Sequence, residues 1–108
     1  MSRRLSNVEN KKLRAIGHAL NPVVMLGVNG LSERVIEETL RALNDHELIK
    51  VKIAGEDREL RQQLIEELAQ ATQAEIVQKI GKVVLLYRKA EQQNAQLSNL
   101  VRYAHLNG

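Results

Sequence analysis

Two kinds of hydrophobic spacing alternate along this chain of 108 residues, and the alternation limits the folds that it can adopt. Three long stretches place apolar residues every three or four positions, which is typical of amphipathic helices. Short apolar runs follow each stretch, and the run Leu48–Ile53 alternates apolar residues with lysines, as in a β-strand with one buried face. The pattern predicts the order helix, strand, helix, strand, helix, strand, strand.

Capping and turn residues indicate where these elements begin and end. Ser6 and Glu9 have the spacing of a capping box, which marks a helix N-terminus. Asn21-Pro22 ends that helix, because the residue before proline avoids the helical conformation. The expected helices cover residues 6–20, 32–44 and 57–72, and the expected strands cover residues 23–26, 48–53, 76–80 and 83–87.

The element order predicts a two-layer α/β domain of the α+β type with a four-stranded mixed sheet. Strands separated by a helix favour parallel crossovers, whereas Gly81-Lys82 is a two-residue hairpin signal for an antiparallel last pair. The continuous apolar run at 23–26 is interpreted as a buried strand. The residues that the third helix is expected to bury are Leu60, Leu64, Leu68 and Ala71.

The chain is expected to form one domain over residues 1–89, followed by a polar tail over residues 90–108. The tail is rich in Gln, Asn and Ala, and its few apolar residues form one weak helical stripe. We therefore expect it to be flexible or weakly helical. No internal repeat divides the domain further.

Charge is distributed unevenly along the chain, whose net charge is +3. Residues 1–32 carry five basic side chains and one acidic one, residues 33–75 carry six and eleven, and residues 76–108 carry five and one. This segregation favours a basic face for a polyanion and an acidic face toward solvent. Two helices with acidic outer faces would also explain the middle segment.

The sequence offers no catalytic or metal-binding constellation. It contains no cysteine, which excludes disulfides, thiolate zinc sites and thiol nucleophiles and fits a cytoplasmic protein. His46-Glu47 lacks the second histidine of a zinc-protease motif, because Lys50 stands at that position. No apolar run is long enough for a signal peptide or a membrane span. We therefore expect a non-enzymatic protein that needs no metal or cofactor and does not bind membranes.

The most informative motif is Gly27-Val28-Asn29-Gly30, which we call the glycine loop. Its glycines allow a close backbone approach, and Ser32 is placed to cap a helix whose free amides would face an anion. The motif lacks the lysine of nucleotide-triphosphate loops and the third glycine of dinucleotide folds. A plain strand-to-helix turn would use the same residues, and the functional interpretation that remains is a clamp on a nucleic-acid backbone. With Tyr87 and Tyr103 as the only aromatic residues, phosphate contacts are favoured over base stacking.

Four stretches in order carry a family resemblance: HALNPVV at 18–24, LGVNGLS at 26–32, HELIKVKI at 46–53 and QKIGKVVLLYR at 78–88. They resemble the CRM domain (chloroplast RNA splicing and ribosome maturation), particularly its stand-alone bacterial, YhbY-like members. The resemblance covers about residues 6–88. It implies a fold similar to the C-terminal domain of translation initiation factor three, preceded by an extra helix.

The resemblance also implies RNA binding through the glycine loop and the basic surface around it, with a role on the precursor of the large ribosomal subunit. The expected partner is its ribosomal RNA, ribosomal proteins are further candidates, and a monomer is expected. An alternative stays open, in which the acidic helices form a protein-interaction module with little RNA contact.

Many CRM loops carry a lysine between the glycines, whereas Val28 and Asn29 are uncharged here. We therefore expect the amides of residues 27–31 to position phosphates, and the basic residues nearby to supply most of the attraction. The expected RNA-binding residues are Gly27, Val28, Asn29, Gly30, Leu31, Ser32, Lys11, Lys12, Arg14, Lys50, Lys52 and Lys82.

Overall fold

The computed structural model describes residues 6–27 and 29–107, which form a four-stranded sheet with helices on both faces. The predicted fold class, an α+β domain with a mixed sheet, is confirmed. The elements in chain order are α1 (Asn7–Gly17), β1 (Pro22–Leu26), α2 (Glu33–His46), β2 (Leu48–Ile53), α3 (Arg58–Thr72), β3 (Glu75–Ile80), β4 (Val83–Tyr87), α4 (Asn99–Arg102) and a 3-10 turn (Ala104–Asn107).

The sheet has the strand order β1-β2-β4-β3, with β1 parallel to β2 and β4 antiparallel to both of its neighbours. Helix α2 connects the parallel pair, as a crossover between parallel strands requires. The carboxyl ends of β1 and β2 therefore lie at the same end of the sheet as the β3–β4 turn, where the Ile53 N–H donates to the Lys82 carbonyl at 2.7 Å. We call it the loop end of the sheet, because the glycine loop follows β1 there.

The first face of the sheet packs against α2 and α3 and forms the main core. In β2 the alternation places Ile49, Val51 and Ile53 in this core, as the period-two pattern predicts. Helix α2 contributes Leu43 and α3 contributes Leu68, and both side chains are fully buried. The two parallel strands and the two helices that follow them thus share one hydrophobic cluster.

Strand β1 is an edge strand, and the prediction that it is buried throughout is wrong. Val24 and Leu26 lie in the main core, whereas Val23 and Met25 are 54% and 63% exposed. A continuous apolar run does not show which of its residues face solvent. The second face of the sheet is open beside β1, so alternate residues of the run meet water.

The buried side of α3 also differs from the prediction. Leu68 is buried as expected, but Leu60 is 50% exposed and Ala71 is exposed as well. At 100° per residue, Leu60 and Ala71 lie about 110–130° from the centre of the side that α3 buries, so the leucine stripe runs along the flank of the helix and only Leu68 reaches the core fully. The other residues that α3 buries are Ile65, Ala69 and Thr72.

Helix α1 packs on the second face of the sheet, so the domain has a partial third layer where the sequence predicts two layers. Its capping box forms as predicted, with the Glu9 N–H donating to Ser6 Oγ at 3.1 Å and the Ser6 N–H donating to Glu9 Oε1 at 3.3 Å. The helix ends at Gly17, three residues before the predicted end. A Cβ at Gly17 would lie 2.6 Å from Leu85 Cδ2, so α1 packs so closely on β4 that the buried Leu85 side chain would have to shift to admit one. The buried cluster of this layer consists of Leu13, Ile16, Leu20, Leu48 and Leu85.

The segment after β4 folds back over α1 and β2. Leu100 and Tyr103 pack against the second cluster, and Ser98 and Asn99 are buried. Asn99 Nδ2 donates to the Leu48 carbonyl at 2.7 Å. Where the sequence predicts a flexible or weakly helical tail, the structure shows α4 and the 3-10 turn held against the domain by these contacts.

Glu47 anchors this segment from the junction of α2 and β2, where its side chain is only 2% exposed. Its carboxylate accepts hydrogen bonds from the Ala90 N–H at 2.9 Å, from Gln93 Nε2 at 2.6 Å and from Ser98 Oγ at 2.7 Å. Burial acts to raise the pKa of the Glu47 carboxyl, but these hydrogen bonds and the charge of Lys89 outweigh burial. The pKa therefore lies below its ordinary value, and the carboxyl is ionised in the folded protein near neutral pH.

Candidate functional site

The glycine loop forms a tight turn at the loop end of the sheet. The Gly30 N–H donates to the Gly27 carbonyl at 3.0 Å, and Gly30 has a φ of 84°, which favours glycine. Val28 lies outside the described residues. Because the Gly30 amide is bonded inside the turn, the expectation that every amide of residues 27–31 meets a phosphate needs correction at this position.

Gly27 lies in open surroundings. A Cβ at this position would have no neighbouring atom within 4 Å, and the Gly27 backbone is not in the left-handed region. The fold itself therefore does not require glycine at position 27. The missing side chain leaves the backbone on this side of the turn open to close approach by another molecule.

The residues after the glycine loop begin α2. Leu31 packs against the main core, and Ser32 Oγ accepts a hydrogen bond from the Val35 N–H at 3.2 Å as the N-cap. Amides of the first helical turn lack carbonyl partners within the helix, and the helix dipole adds partial positive charge there. Glu33 places a negative charge in the same turn. The backbone can receive an anion here, but net attraction has to come from nearby cations.

The second face of the sheet is open at the loop end and carries two of the predicted lysines. The strand register sets four side chains next to one another across the sheet: Met25, Lys52, Val83 and Ile80. Lys52 is exposed, as are Met25 and Ile80. Lys50, one row away, lines a groove between this surface and the end of α1. We call these five residues the lysine face, and both lysines lie on it as the alternation predicts.

Lys82 lies in the β3–β4 turn at the same end of the sheet, and an acidic neighbour pairs with it. Lys82 Nζ donates to Glu56 Oε1 at 2.7 Å, and the Glu56 side chain is 92% exposed. The hydrogen bond from Lys82 and its positive charge, with a further contribution from Arg61, hold the pKa of Glu56 below its ordinary value. The expected role of Lys82 as a cation free for RNA is therefore limited by this ion pair.

The three predicted cations of α1 lie apart from this group. Lys11, Lys12 and Arg14 are exposed on α1, whose buried side packs on the half of the sheet that contains Leu48 and Tyr87. The structure thus brings the glycine loop, the lysine face and the β3–β4 turn to one end of the sheet. The α1 cations lie on the outer side of the helix that covers Leu48 and Leu85.

The structure also forms a basic cleft that the sequence did not indicate. Arg58 and Arg61 of α3 and Lys79 of β3 line it, together with Gln62, Ile65 and Gly81. All of these residues except Lys79 and Gly81 belong to α3. This helix lies within residues 33–75, whose net charge is negative, so the charge balance of that segment did not indicate a basic cleft. Arg58 and Arg61 are three residues apart and therefore share one face of α3. This spacing could have indicated the part of the cleft that α3 forms.

Residues 6–27 and 29–107 contain neither a metal-binding cluster nor a membrane-spanning helix. Within these ranges, no three His, Cys, Asp or Glu side chains are grouped so that they could hold a metal ion. None of the helices described there has both the length and the apolar composition that crossing a membrane requires.

The chain is similar to known proteins over most of its length. The sequence profile of the CRS1/YhbY (CRM) domain matches residues 5–88. The chain is 47% identical over 100 residues to a protein of Pseudomonas aeruginosa named as a probable RNA-binding protein, covering 93% of this chain and 96% of that protein. It is 50% identical over 93 residues to a protein of Haemophilus influenzae named RNA-binding protein, covering 86% of this chain and 94% of that protein.

A solved structure has a similar fold. The solution structure of a hypothetical protein from Staphylococcus aureus superimposes with a TM-score of 0.73 at 29% sequence identity. The match covers 88% of this chain and 98% of that one.

Proposed function

Because this chain belongs to the CRS1/YhbY (CRM) domain family, we propose that it binds RNA, with the glycine loop seated against the phosphate backbone. The observation that carries this proposal is Gly27, where the fold leaves open backbone next to the start of α2. The names of the Pseudomonas and Haemophilus relatives support RNA as the ligand.

In the proposed mechanism the loop positions RNA and the lysines attract it. Amides at residues 29 and 31–33 meet phosphate oxygens, and the exposed side chain of Asn29 adds a polar contact. Lys52 and Lys50 neutralise phosphates that pass over the lysine face, which lies at the same end of the sheet. The division of labour follows from chemistry, because amides fix geometry whereas ammonium groups supply long-range attraction.

We further propose that the RNA is ribosomal RNA of the precursor large subunit, bound by a cytoplasmic monomer without catalysis. Basic ribosomal proteins would then contact the exposed acidic residues of α2. Crosslinking in cells, followed by sequencing of the attached RNA, is expected to recover precursor large-subunit sequences, and enrichment of messenger RNA instead would contradict this target. RNA incubated with the protein and magnesium is expected to stay intact.

The lysine face makes a measurable prediction about salt. Replacing Lys50 and Lys52 by glutamine is expected to make the negative slope of log affinity against log salt shallower by about 0.7–0.9 per lost phosphate contact, because fewer counterions are released. Binding of purified large-subunit ribosomal RNA is measured by filter retention between 50 and 200 mM salt. The matched control, Arg41→Gln with Arg102→Gln, also removes two charges but lies outside the lysine face. A slope that both double variants leave equal to wild type would show that Lys50 and Lys52 do not contact phosphate.

The ion pair at the β3–β4 turn predicts a gain of affinity. Replacing Glu56 by glutamine removes a negative charge from the loop end and releases Lys82, so RNA binding is expected to tighten by about threefold to tenfold at low salt. The effect is expected to fade as salt rises, because these groups are exposed. Glu91→Gln removes an exposed carboxylate outside the loop end and serves as the control. Equal affinities for the two variants would contradict a role for Lys82.

A further inference from the structure

We propose that the basic cleft between α3 and the β3–β4 turn is a second phosphate-binding site, which takes the backbone of the same RNA molecule that the glycine loop holds. This inference rests on the proposed function and adds a contact surface to it. The cleft lies on the side of the sheet that carries α3, so it is distinct from the lysine face on the opposite side.

Two cations of the cleft are hydrogen-bonded to neutral acceptors. Lys79 Nζ donates to the neutral Gln62 Oε1 at 2.8 Å, and Arg61 Nη1 donates to the Gly55 carbonyl at 2.9 Å. These hydrogen bonds orient the two side chains without neutralising them. Arg58 is exposed at the first position of α3.

The ion pairs of the described part of the chain support this interpretation. They join Arg34 to Glu38 and Lys82 to Glu56, and neither of them involves a cation of the cleft. Three positive side chains on two elements therefore converge, and Glu56, the carboxylate on which the charge of Arg61 acts, is itself bonded to Lys82. A phosphate group supplies the negative charge and the several acceptor oxygens that arginine and lysine side chains favour.

The cleft and the glycine loop adjoin neighbouring sides of the same turn of α3. Leu64 Cδ2 lies 3.7 Å from the Cβ position at Gly30, whereas Arg61 and Ile65 line the cleft. Arg61 and Leu64 lie about 60° apart around the helix, so the two sites lie on neighbouring sides of α3 and one strand of RNA can reach both. Gly81 at the rim adds no side chain that would hinder a strand from passing between them.

The test uses the full chain and purified large-subunit ribosomal RNA. Replacing Arg58 and Lys79 by glutamine is expected to reduce affinity at least fivefold and to lower the salt slope by about 1.4–1.8 for two lost contacts. Both side chains are exposed, so the thermal midpoint is expected to stay at the wild-type value. Arg41→Gln with Arg102→Gln is the charge-matched control and is expected to change affinity less than twofold.

The possible outcomes distinguish the proposed cleft site from the proposed role of the glycine loop. If the cleft variant binds like the control while Gly27→Asp weakens binding, the cleft proposal is overturned and the proposed function stands. If wild-type protein does not bind ribosomal RNA at all, both are overturned. A loss of affinity in the cleft variant together with an unchanged thermal midpoint supports the second site.

Discussion

Replacing Glu47 by alanine is expected to destabilise the protein by about 3 kcal/mol, because three hydrogen-bond donors lose their acceptor in a buried position. The carboxylate joins the α2–β2 junction to Ala90, Gln93 and Ser98. Its loss is expected to free the segment that carries α4. Chemical denaturation measures the free energy of unfolding, and hydrogen exchange of the amides of residues 98–103 measures the release.

Two further variants separate the network from other effects at this position. Glu47 has a φ of 63° and a ψ of −44°, which is a strained conformation for any residue except glycine. Glu47→Gly also removes the network but relieves strain, so it is expected to be about 1 kcal/mol less destabilising than Glu47→Ala. Glu91→Ala removes an exposed carboxylate from the same segment and is expected to change stability little. Equal stability of Glu47→Ala and Glu91→Ala would show that the network does not anchor the segment.

The same hydrogen bonds to Glu47 make the stability of the folded protein depend on pH. The pKa of Glu47 lies below its ordinary value of 4.5 because the hydrogen bonds and Lys89 outweigh burial. The ionised carboxyl therefore stabilises the folded state above pH 4.5, and this contribution is lost as pH falls through the lower folded-state pKa. Protection of the amides of residues 98–103, taken relative to the slower intrinsic exchange in acid, is expected to fall as the pH falls, and the Glu47→Ala variant is expected to lack this acid response.

Placing an aspartate in the glycine loop is expected to have the second large effect. Gly27→Asp should weaken RNA binding at least tenfold, or about 1.4 kcal/mol, because a carboxylate would stand where the backbone approaches phosphate. A Cβ at Gly27 would have no atom within 4 Å beyond those of its chain neighbours, and the φ of Gly27 is not in the left-handed region. The stability of the folded protein is therefore expected to be unchanged. Affinity is measured by gel shift with ribosomal RNA, and folding is measured by thermal denaturation.

The choice of position and control makes this test specific. Gly30→Asp is also expected to weaken binding, but it adds about 1 kcal/mol or more of backbone strain at a φ of 84°. Gln70→Glu adds the same charge near the far end of α3 and is expected to leave affinity within twofold of wild type. Equal loss in Gly27→Asp and Gln70→Glu would mean that the loop acts only through overall charge.

Local signals predicted much of the fold correctly. The capping box of Ser6 and Glu9 forms, and Ser32 caps α2 as expected. The alternation in β2 separates its lysines from its core residues. Each of these features depends on residues within a few positions of one another, which sequence spacing describes directly.

The features that the sequence did not predict depend on distant contacts. Glu47 meets Ser98 across 51 positions, and Lys82 meets Glu56 across 26. Exposure of Met25 follows from the place of β1 at the sheet edge, which its apolar run could not indicate. The basic cleft likewise needs α3 and β3 to be brought together in space.

The central claim is that the backbone around the glycine loop contacts RNA, and amide chemical shifts measured during RNA titration test it most directly. A short fragment of large-subunit ribosomal RNA is titrated into isotopically labelled protein. The largest shifts are expected at Gly27, Asn29, Leu31 and Ser32, with smaller ones at Lys52. Shifts concentrated on the acidic outer side of α2, with the loop amides unmoved, would contradict the claim.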